Sequence, residues 1–411
     1  SIARFNQQLQ QIEGTSAKIK LCSDALSDPQ RKNTFEKIAA MDQLADLLGA
    51  DAFELLLPYL NHDYWRLREH SLNTAAKLIR SGGAKQLAAL YQPKDRANEA
   101  VGILAAFARS GDATGSKLAT SALAEESPEL RRQAAITLAS IDKDKAISPI
   151  IGQLGKASHP LERDGCEIAL NQLAASSSAK VRDAVIAALG GLKAENLASA
   201  WYVLACIGDD PSLDVLVKAG STKSKTEFSA LAAALSYSPS RRADKILLNF
   251  ASVDKDSAAL VGPHAVRRMV LGPKGFGDLT DEQRMEFAEP MIKLVMDPEL
   301  VKFLGQVHHA RALRALVYCL RNGVTSAAET IVVNAENTKT FPTEDAKVAA
   351  DALRDVIEYI EVTQLRGGAE GKDFRYYPQW KLLQARAGKV LLKVHKPESK
   401  PIAPLQGLDL E

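Results

Sequence analysis

Few residues in this chain are of types and spacings that do chemistry. Histidine occurs seven times, and His308-His309 is the one adjacent pair. Neighbours on a helix point about 100° apart, so they cannot clamp one ion as an i, i+4 pair does. One turn on, Ala312 and Leu313 offer no second ligand. Cys22, Cys166, Cys206 and Cys319 stand far apart, with no CxxC, in Ala- and Leu-rich surroundings. They read as small buried hydrophobes and favour a reducing, cytoplasmic compartment. Gly272-Pro273-Lys274-Gly275-Phe276-Gly277-Asp278 superficially resembles a phosphate-cradling loop. It lacks the Gly-Lys-Ser/Thr ending and a preceding strand, so it reads as an inserted loop. No Gly-x-Ser-x-Gly is present. The sequence therefore predicts no catalytic residue, no cofactor and no metal.

Recognition is better represented. His62-Asp63-Tyr64-Trp65-Arg66 is a polar-aromatic turn, and Trp, Tyr and Arg are favoured at binding hot spots. A second dense cluster runs Asp373-Phe374-Arg375-Tyr376-Tyr377-Pro378-Gln379-Trp380, in a chain only 6% aromatic. The candidate partner contacts are Tyr64, Trp65, Arg267, Arg268, His308, Arg311, Phe374, Tyr376, Tyr377 and Trp380.

The elements that must carry these residues are helical. Four segments align on Arg68, Arg131, Arg163 and Arg182. Three residues after each Arg stands Ser71, Ala134, Cys166 or Val185; six after stands Thr74, Thr137, Ala169 or Ala188. Seven after stands Ala75, Leu138, Leu170 or Leu189; ten after stands Leu78, Ile141, Leu173 or Leu192. Offsets of 3, 7 and 10 share one helix face, where small residues admit a neighbouring helix and larger ones fill the groove. Ser127-Pro128-Glu129 sets a capping Ser before Pro at a helix start, and Asp63 and Ser178 are candidate caps. Gly82-Gly83, Gly190-Gly191 and Gly208 mark stops. Further helices are expected at 34–48, 94–109, 145–157, 195–207, 225–237 and 344–364.

This Leu/Val-Arg-x-x-small-x-x-small-Leu row resembles the second half of the HEAT repeat, most clearly at 128–141 and 179–192. The short bacterial type found in phycobilin-lyase-like HEAT proteins is the nearest in pattern, and the resemblance covers about 60–220. It implies an all-α, right-handed α-solenoid of HEAT-like helix pairs. It also implies that the anchor arginines tie neighbouring repeats through acidic or carbonyl partners. Arg131 and Arg163 stand one repeat, 32 residues, apart. Arg163 and Arg182, only 19 apart, belong on consecutive helices of a pair.

A single helix pair cannot bury its apolar face, so the ends need caps. Residues 1–60, with a Gln-rich start, read as an N-terminal helical cap and 61–365 as the solenoid. Arg366-Gly367-Gly368 is expected to break the last helix. Residues 366–411 then read as an extended aromatic and basic tail, with a short strand at Lys389–Val394.

At 411 residues the chain exceeds one compact core. Its net charge of +2 gives no strong pull toward nucleic acid or anionic membrane. No apolar run reaches the 18 residues of a membrane span. The chain begins Ser1-Ile2-Ala3-Arg4, without Met or a signal-peptide pattern, which leaves periplasmic or secreted settings open. These readings favour a non-catalytic scaffold that binds a protein partner or its own copies. The alternatives are a structural subunit tethered by the tail, and a HEAT-like enzyme of lyase or DNA-glycosylase type whose site is assembled from distant helices.

Overall fold

The computed structural model describes residues 2–28, 33–220, 224–271, 280–294, 298–337, 343–369 and 377–394. Among them the secondary structure is helical, with no strand. The chain divides into two compact units, Ser1–Ile207 and Gly208–Glu411.

The first unit holds α1 (Ile2–Gln11), α2 (Thr15–Ser27), α3 (Thr34–Leu48), α4 (Phe53–Leu60), α5 (Trp65–Leu78) and α6 (Ala84–Ala89). It continues with α7 (Ala97–Ser110), α8 (Thr114–Ala122), α9 (Pro128–Asp142), α10 (Ile147–Lys156), α11 (Pro160–Ala188) and α12 (Ala194–Ile207). The helices form hairpins. Within one layer α3, α5, α7, α9 and α11 pack in series, while α4, α6, α8 and α10 lie behind them. Cross-links show that α3 and α5 run parallel: His70 meets Asp42 at 2.8 Å and Lys77 meets Asp46 at 3.6 Å, so both numbers rise together.

The small-residue row makes this close stacking feasible. Ser71, Ala134, Cys166, Thr137 and Ala169 are all fully buried. Where even a methyl group is too large, glycine appears. A Cβ on Gly165 would stand 2.7 Å from the Arg132 Cα, and one on Gly102 would stand 2.5 Å from the Leu60 Cβ. The larger residues of the pattern, Leu138, Leu170 and Leu173, fill the space between helices. Each fully buried Leu contributes roughly 1.5–3 kcal/mol relative to exposure.

Of the four anchor arginines, Arg131 and Arg163 stitch repeat to repeat. Arg131 reaches Glu162 at 2.7 Å, 31 residues on, and Arg163 reaches Glu195 at 3.3 Å, 32 residues on. Arg131 also donates to the Glu125 carbonyl. Arg68 instead bonds its own entry turn, donating to the His62 carbonyl at 2.7 Å. Arg182 pairs with the adjacent Asp183 at 2.8 Å. Backbone carbonyls are used across repeats too: the Thr137 hydroxyl donates to Leu104 O at 3.1 Å, 33 residues away. Arg163 and Arg182 share α11, but non-helical backbone at Ser177 (φ −142°, ψ 46°) divides that helix into two arms, one carrying each arginine.

Of the predicted caps, Ser127 accepts from Leu130 N–H at 3.2 Å, with Pro128 opening α9. Asp63 and Ser178 do not cap. Tyr64 occupies the cap position of α5, and Ser178 follows the Ser177 kink inside α11. The expected glycine stops Gly82 (φ 103°) and Gly208 (φ 66°) take left-handed backbone, which costs glycine nothing.

The second unit alternates the same way. One layer contains α13 (Asp210–Gly220), α15 (Arg242–Ala251), α17 (Asp281–Leu294), α19 (Ala310–Arg321) and α21 (Thr343–Ala369). The other contains α14 (Lys225–Leu235), α16 (Lys255–Leu271), α18 (Pro298–Leu304), α20 (Ser326–Asn337) and α22 (Tyr377–Val394). Cross-links again join alternate helices: Arg242 to Asp210 at 3.1 Å, Lys225 to Asp256 at 2.6 Å and Arg321 to Asp355 at 2.7 Å.

Two expectations for the C-terminal region are corrected. α21 runs through Arg366-Gly367-Gly368 to Ala369. Glycine costs a helix only about 1 kcal/mol relative to Ala, too little to stop a long helix at one point. Lys389–Val394 is the end of helix α22, not a strand or an extended arm. Its short apolar run follows helical spacing: Leu383, Ala387 and Val390 recur at offsets of 4 and 7, with Ala387 and Val390 buried. α22 packs on α20 and α21, and Arg386 holds Glu336 at 2.6 Å.

Candidate functional site

In the first unit, two neighbouring features form a candidate interface. Because α3 and α5 run parallel, their N-terminal ends lie at one edge of the hairpin stack. Phe35 in the first turn of α3 is 54% exposed, Trp65 at the start of α5 is 56% exposed and Tyr64 beside it 40%. Bulky apolar side chains exposed to this degree are costly to leave solvated, and clustered ones mark contact surfaces. The Arg66 guanidinium lies 5.3 Å over the Trp65 ring, an arrangement that stiffens both side chains. The turn beneath is built by the stacked Tyr59 and His62 rings, 5.6 Å apart, and by the His62 Nδ1 accepting from Tyr64 N–H at 3.0 Å.

From this edge a groove of about 500 Å³ runs over α5, α7 and α9. Its floor is shallow-sided because α7 presents Val101, Ala105 and Ala108 there, and its walls carry Arg68, Arg109 and Arg132. Arg109 meets Glu69 at 2.8 Å and Asn73 at 2.8 Å; Arg132 meets Asp164 at 2.6 Å. These bonds fix the direction of each guanidinium while leaving it part-exposed.

The second unit has a cleft of about 670 Å³ between α19 and α21, lined by Arg314, Tyr318, Arg321, Lys347, Asp351 and Asp355. Asp355 accepts from Arg321, and Asp351 from Arg354 at 2.8 Å. Another cleft, of about 440 Å³, lies between α20 and α22, with Trp380, Leu382, Glu329 and Arg386 in its lining.

The predicted contact residues fall into distinct settings. Tyr64 and Trp65 stand together on the exposed edge. Arg267 is exposed and its guanidinium covers the Tyr237 ring at 4.3 Å. Arg268, by contrast, is buried. It binds Asp244 at 2.5 Å and the carbonyls of Ser238 and Ser240 at 2.5 and 2.7 Å. It is a staple between α14, α15 and α16 and has no surface to offer a partner. His308 is exposed, and its N–H donates to Asp281 at 2.9 Å. His309 caps α19 by accepting from Arg311 N–H, and its Nε2 lies 2.6 Å from Glu282. Arg311 bridges Glu282 and Glu289, at 2.6 and 2.7 Å. His308 and Arg311 thus belong to the seam that joins α17 to α19. Trp380 tilts against Tyr359 with ring centroids 5.9 Å apart. Tyr377 opens α22, while Phe374, Tyr376 and the Gly272–Asp278 loop lie outside the described residues.

Sequence reasoning missed Phe35 and the convergence of Arg109 and Arg132 with Arg68. Phe35 carried a signal: an aromatic in the first turn of a helix, as Trp65 is. The arginine set carried none, since its members lie 41 and 23 residues apart and meet only through the stacking of α5, α7 and α9.

Titratable groups shifted by burial meet at the α11–α12 contact. Burial pushes the Glu167 carboxyl above the usual carboxylate range, although a hydrogen bond from Ser199 opposes this. Burial also raises the nearby Cys206 thiol. Cys166 is pushed to about 12 by burial. Between α14 and α16 the Ser229 hydroxyl meets His264 Nε2 at 3.3 Å, and burial lowers the His264 pKa. Among the described residues no group of three or more His, Cys, Asp or Glu side chains is placed to hold a metal ion. None of the described helices is long and apolar enough to cross a membrane.

Comparison with protein-family models and with curated proteins returns no match. Solved structures with some likeness include a karyopherin, an engineered protein and a TOG-domain array. The karyopherin Kap121p is 12% identical, with a TM-score of 0.34 over 92% of this chain and 45% of its own. An engineered protein is 18% identical, with a TM-score of 0.30 over 94% and 97%. A microtubule-polymerase TOG-domain array is 12% identical, with a TM-score of 0.25 over 90% and 99%. Scores this low do not superpose one surface on another, so function must be argued from this chain's own side chains.

Proposed function

We propose that this chain is a non-catalytic HEAT-like scaffold that binds a partner protein across the α3–α5 edge and the adjoining α5–α7–α9 groove. The observation that carries this reading is the edge itself: Phe35, Tyr64 and Trp65 are all at least 40% exposed beside a groove walled by arginines. Aromatic anchors next to arginines are the composition of interface hot spots. The hairpin stack supplies rigidity, so a partner is met by a preformed surface and little ordering entropy opposes binding.

The test is cross-linking of the full-length chain in extract of its source cells, with mass spectrometry reading both partner and site. The expected result is a partner whose cross-links fall on α3, α5, α7 and α9 and vanish in Phe35→Ser/Trp65→Ala, with melting unchanged. A partner seated elsewhere, or unaffected by that variant, refutes the reading.

A second reading has an observation of its own. The α19–α21 cleft brings Tyr318, Asp351 and Asp355 together with Arg314, Arg321 and Lys347, the acidic-aromatic and basic setting that a HEAT-like glycosylase needs. Release of base from alkylated duplex DNA, abolished by Asp351→Asn or Asp355→Asn, moves the assignment to that cleft.

A further inference from the structure

We infer that the α19–α21 cleft of the second unit binds a small phosphate monoester joined to an aromatic ring, with a mononucleotide as the type. The inference concerns the second unit alone and is independent of the scaffold reading, which places its partner on the first.

At about 670 Å³ the cleft has the size of a small-molecule site. It takes residues 314–321 from α19 and 347–355 from α21. Arg321 meets Asp355 at 2.7 Å at the C-terminal end of both stretches, so the two helices run parallel, with α21 numbered 34 ahead. Tyr318 then stands level with Ala352, and Arg314 level with Val348, beside Lys347.

The carboxylates of the cleft are engaged, and two of its cations are not. Asp355 holds Arg321, and Asp351 is turned to Arg354 at 2.8 Å. Arg314 and Lys347 are exposed, and neither pairs with an acid among the described residues. Two unneutralised cations at one end of the cleft match the charge of a phosphate monoester, about −2 near neutral pH. Arginine offers it a planar fork of donors and lysine a point charge.

The next turn of α19 supplies the place for a ring. Arg314 and Tyr318 are four residues apart, about 6 Å along the helix, a gap that a pentose spans. Tyr318 is 38% exposed and lines the cleft. Opposite it Ala352 has only a methyl group, which leaves the space over the tyrosine ring open to a planar group. A nucleic-acid strand uses cations and rings repeated along its path. Here the end beyond Tyr318 is closed by the Arg321–Asp355 pair, so one anion and one ring fit and a continuing strand does not.

Isothermal titration of the full chain with adenosine monophosphate is the test. Adenosine lacks the anion, ribose phosphate lacks the ring, and an oligothymidylate repeats both. The monophosphate is expected to bind at least about tenfold tighter than adenosine or ribose phosphate. Arg314→Gln/Lys347→Gln breaks no ion pair among the described residues and is expected to weaken binding about tenfold or more, with melting unchanged. Tyr318→Ala is expected to weaken it about tenfold, the scale of one stacked base. Asp351→Asn withdraws a negative charge from the cleft and is expected to tighten binding about twofold, a gain that a misfolded variant cannot produce. No binding of the monophosphate, no advantage over adenosine or ribose phosphate, undiminished binding in Arg314→Gln/Lys347→Gln or Tyr318→Ala, weaker binding in Asp351→Asn, or tighter binding of the oligonucleotide overturns the inference. Release of base from alkylated duplex DNA at this cleft overturns it as well. None of these outcomes bears on the scaffold reading, and cross-links that refute the scaffold reading leave this inference standing.

Discussion

Arg268→Met tests how the second unit is held together. Arg268 and Asp244 have side chains only 5% and 6% exposed and pair at 2.5 Å. Besides Asp244, the guanidinium serves the carbonyls of Ser238 at 2.5 Å and Ser240 at 2.7 Å. Methionine retains most of the stem volume but none of the donors. Each buried acceptor left unsatisfied costs about 1–3 kcal/mol. Asp244 keeps Arg241, 2.8 Å away, which limits its share of the loss. The expected cost is therefore about 3–5 kcal/mol, the range for breaking one side of a buried pair. Asp244→Leu is expected to cost a similar amount, because it strands a buried guanidinium. The double variant Arg268→Met/Asp244→Leu removes both charges, and is expected to cost at least about 2 kcal/mol less than the two single changes together. Repeat arrays do not unfold all at once, so the readout is hydrogen exchange over α14–α16 under mild urea rather than one whole-chain transition. A single variant within about 1 kcal/mol of the parent, or a double variant costing the full sum of the singles, refutes the reasoning.

Three further outcomes are expected. Gly165→Ala sets a Cβ 2.7 Å from the Arg132 backbone, which cannot swing aside as a side chain can, and lowers stability by about 1–3 kcal/mol in urea unfolding of the first unit. Glu167 has a folded pKa raised by burial, so the folded chain binds the extra proton. Its stabilising contribution is complete below about pH 4.5 and is lost as pH rises through the raised value, so Glu167→Gln gains stability over the parent between pH 4.5 and 7 in paired denaturation curves. Cys22 and Cys319 are pushed to about 11 and Cys166 to about 12, all three fully buried, so a thiol reagent at pH 8 labels the native chain at Cys206 first and reaches the other three on unfolding.

The helices are legible in the amino-acid sequence, because their signals are local. The 3.6-residue period of Val348, Ala349, Leu353, Val356 and Ile360 and the Ser127-Pro128 start need no distant partner to be read. The repeat is legible there too: Arg131 and Arg163 stand one stacking step apart because each must reach the next helix of the same layer. The same periodicity was present in Leu383, Ala387 and Val390, although the short apolar run within Lys389–Val394 suggests a strand; run length alone does not separate the two, and burial against α20 and α21 decides for helix.

Which arginines face solvent and which are spent within the fold depends on how the helices pack. Val266-Arg267-Arg268 gives two adjacent arginines with nothing to separate them in sequence, yet a 100° turn of the helix places Arg267 on the surface over Tyr237 and Arg268 against Asp244 in the core. Likewise Phe35 and Trp65 share an edge, and Arg68, Arg109 and Arg132 one groove, because parallel stacking brings together side chains that no spacing rule within a single helix relates. A surface made by stacking depends on how far each helix is shifted and turned against the next. That shift is set by small residues such as Gly102 and Gly165, whose effect is felt only once a neighbour is in place.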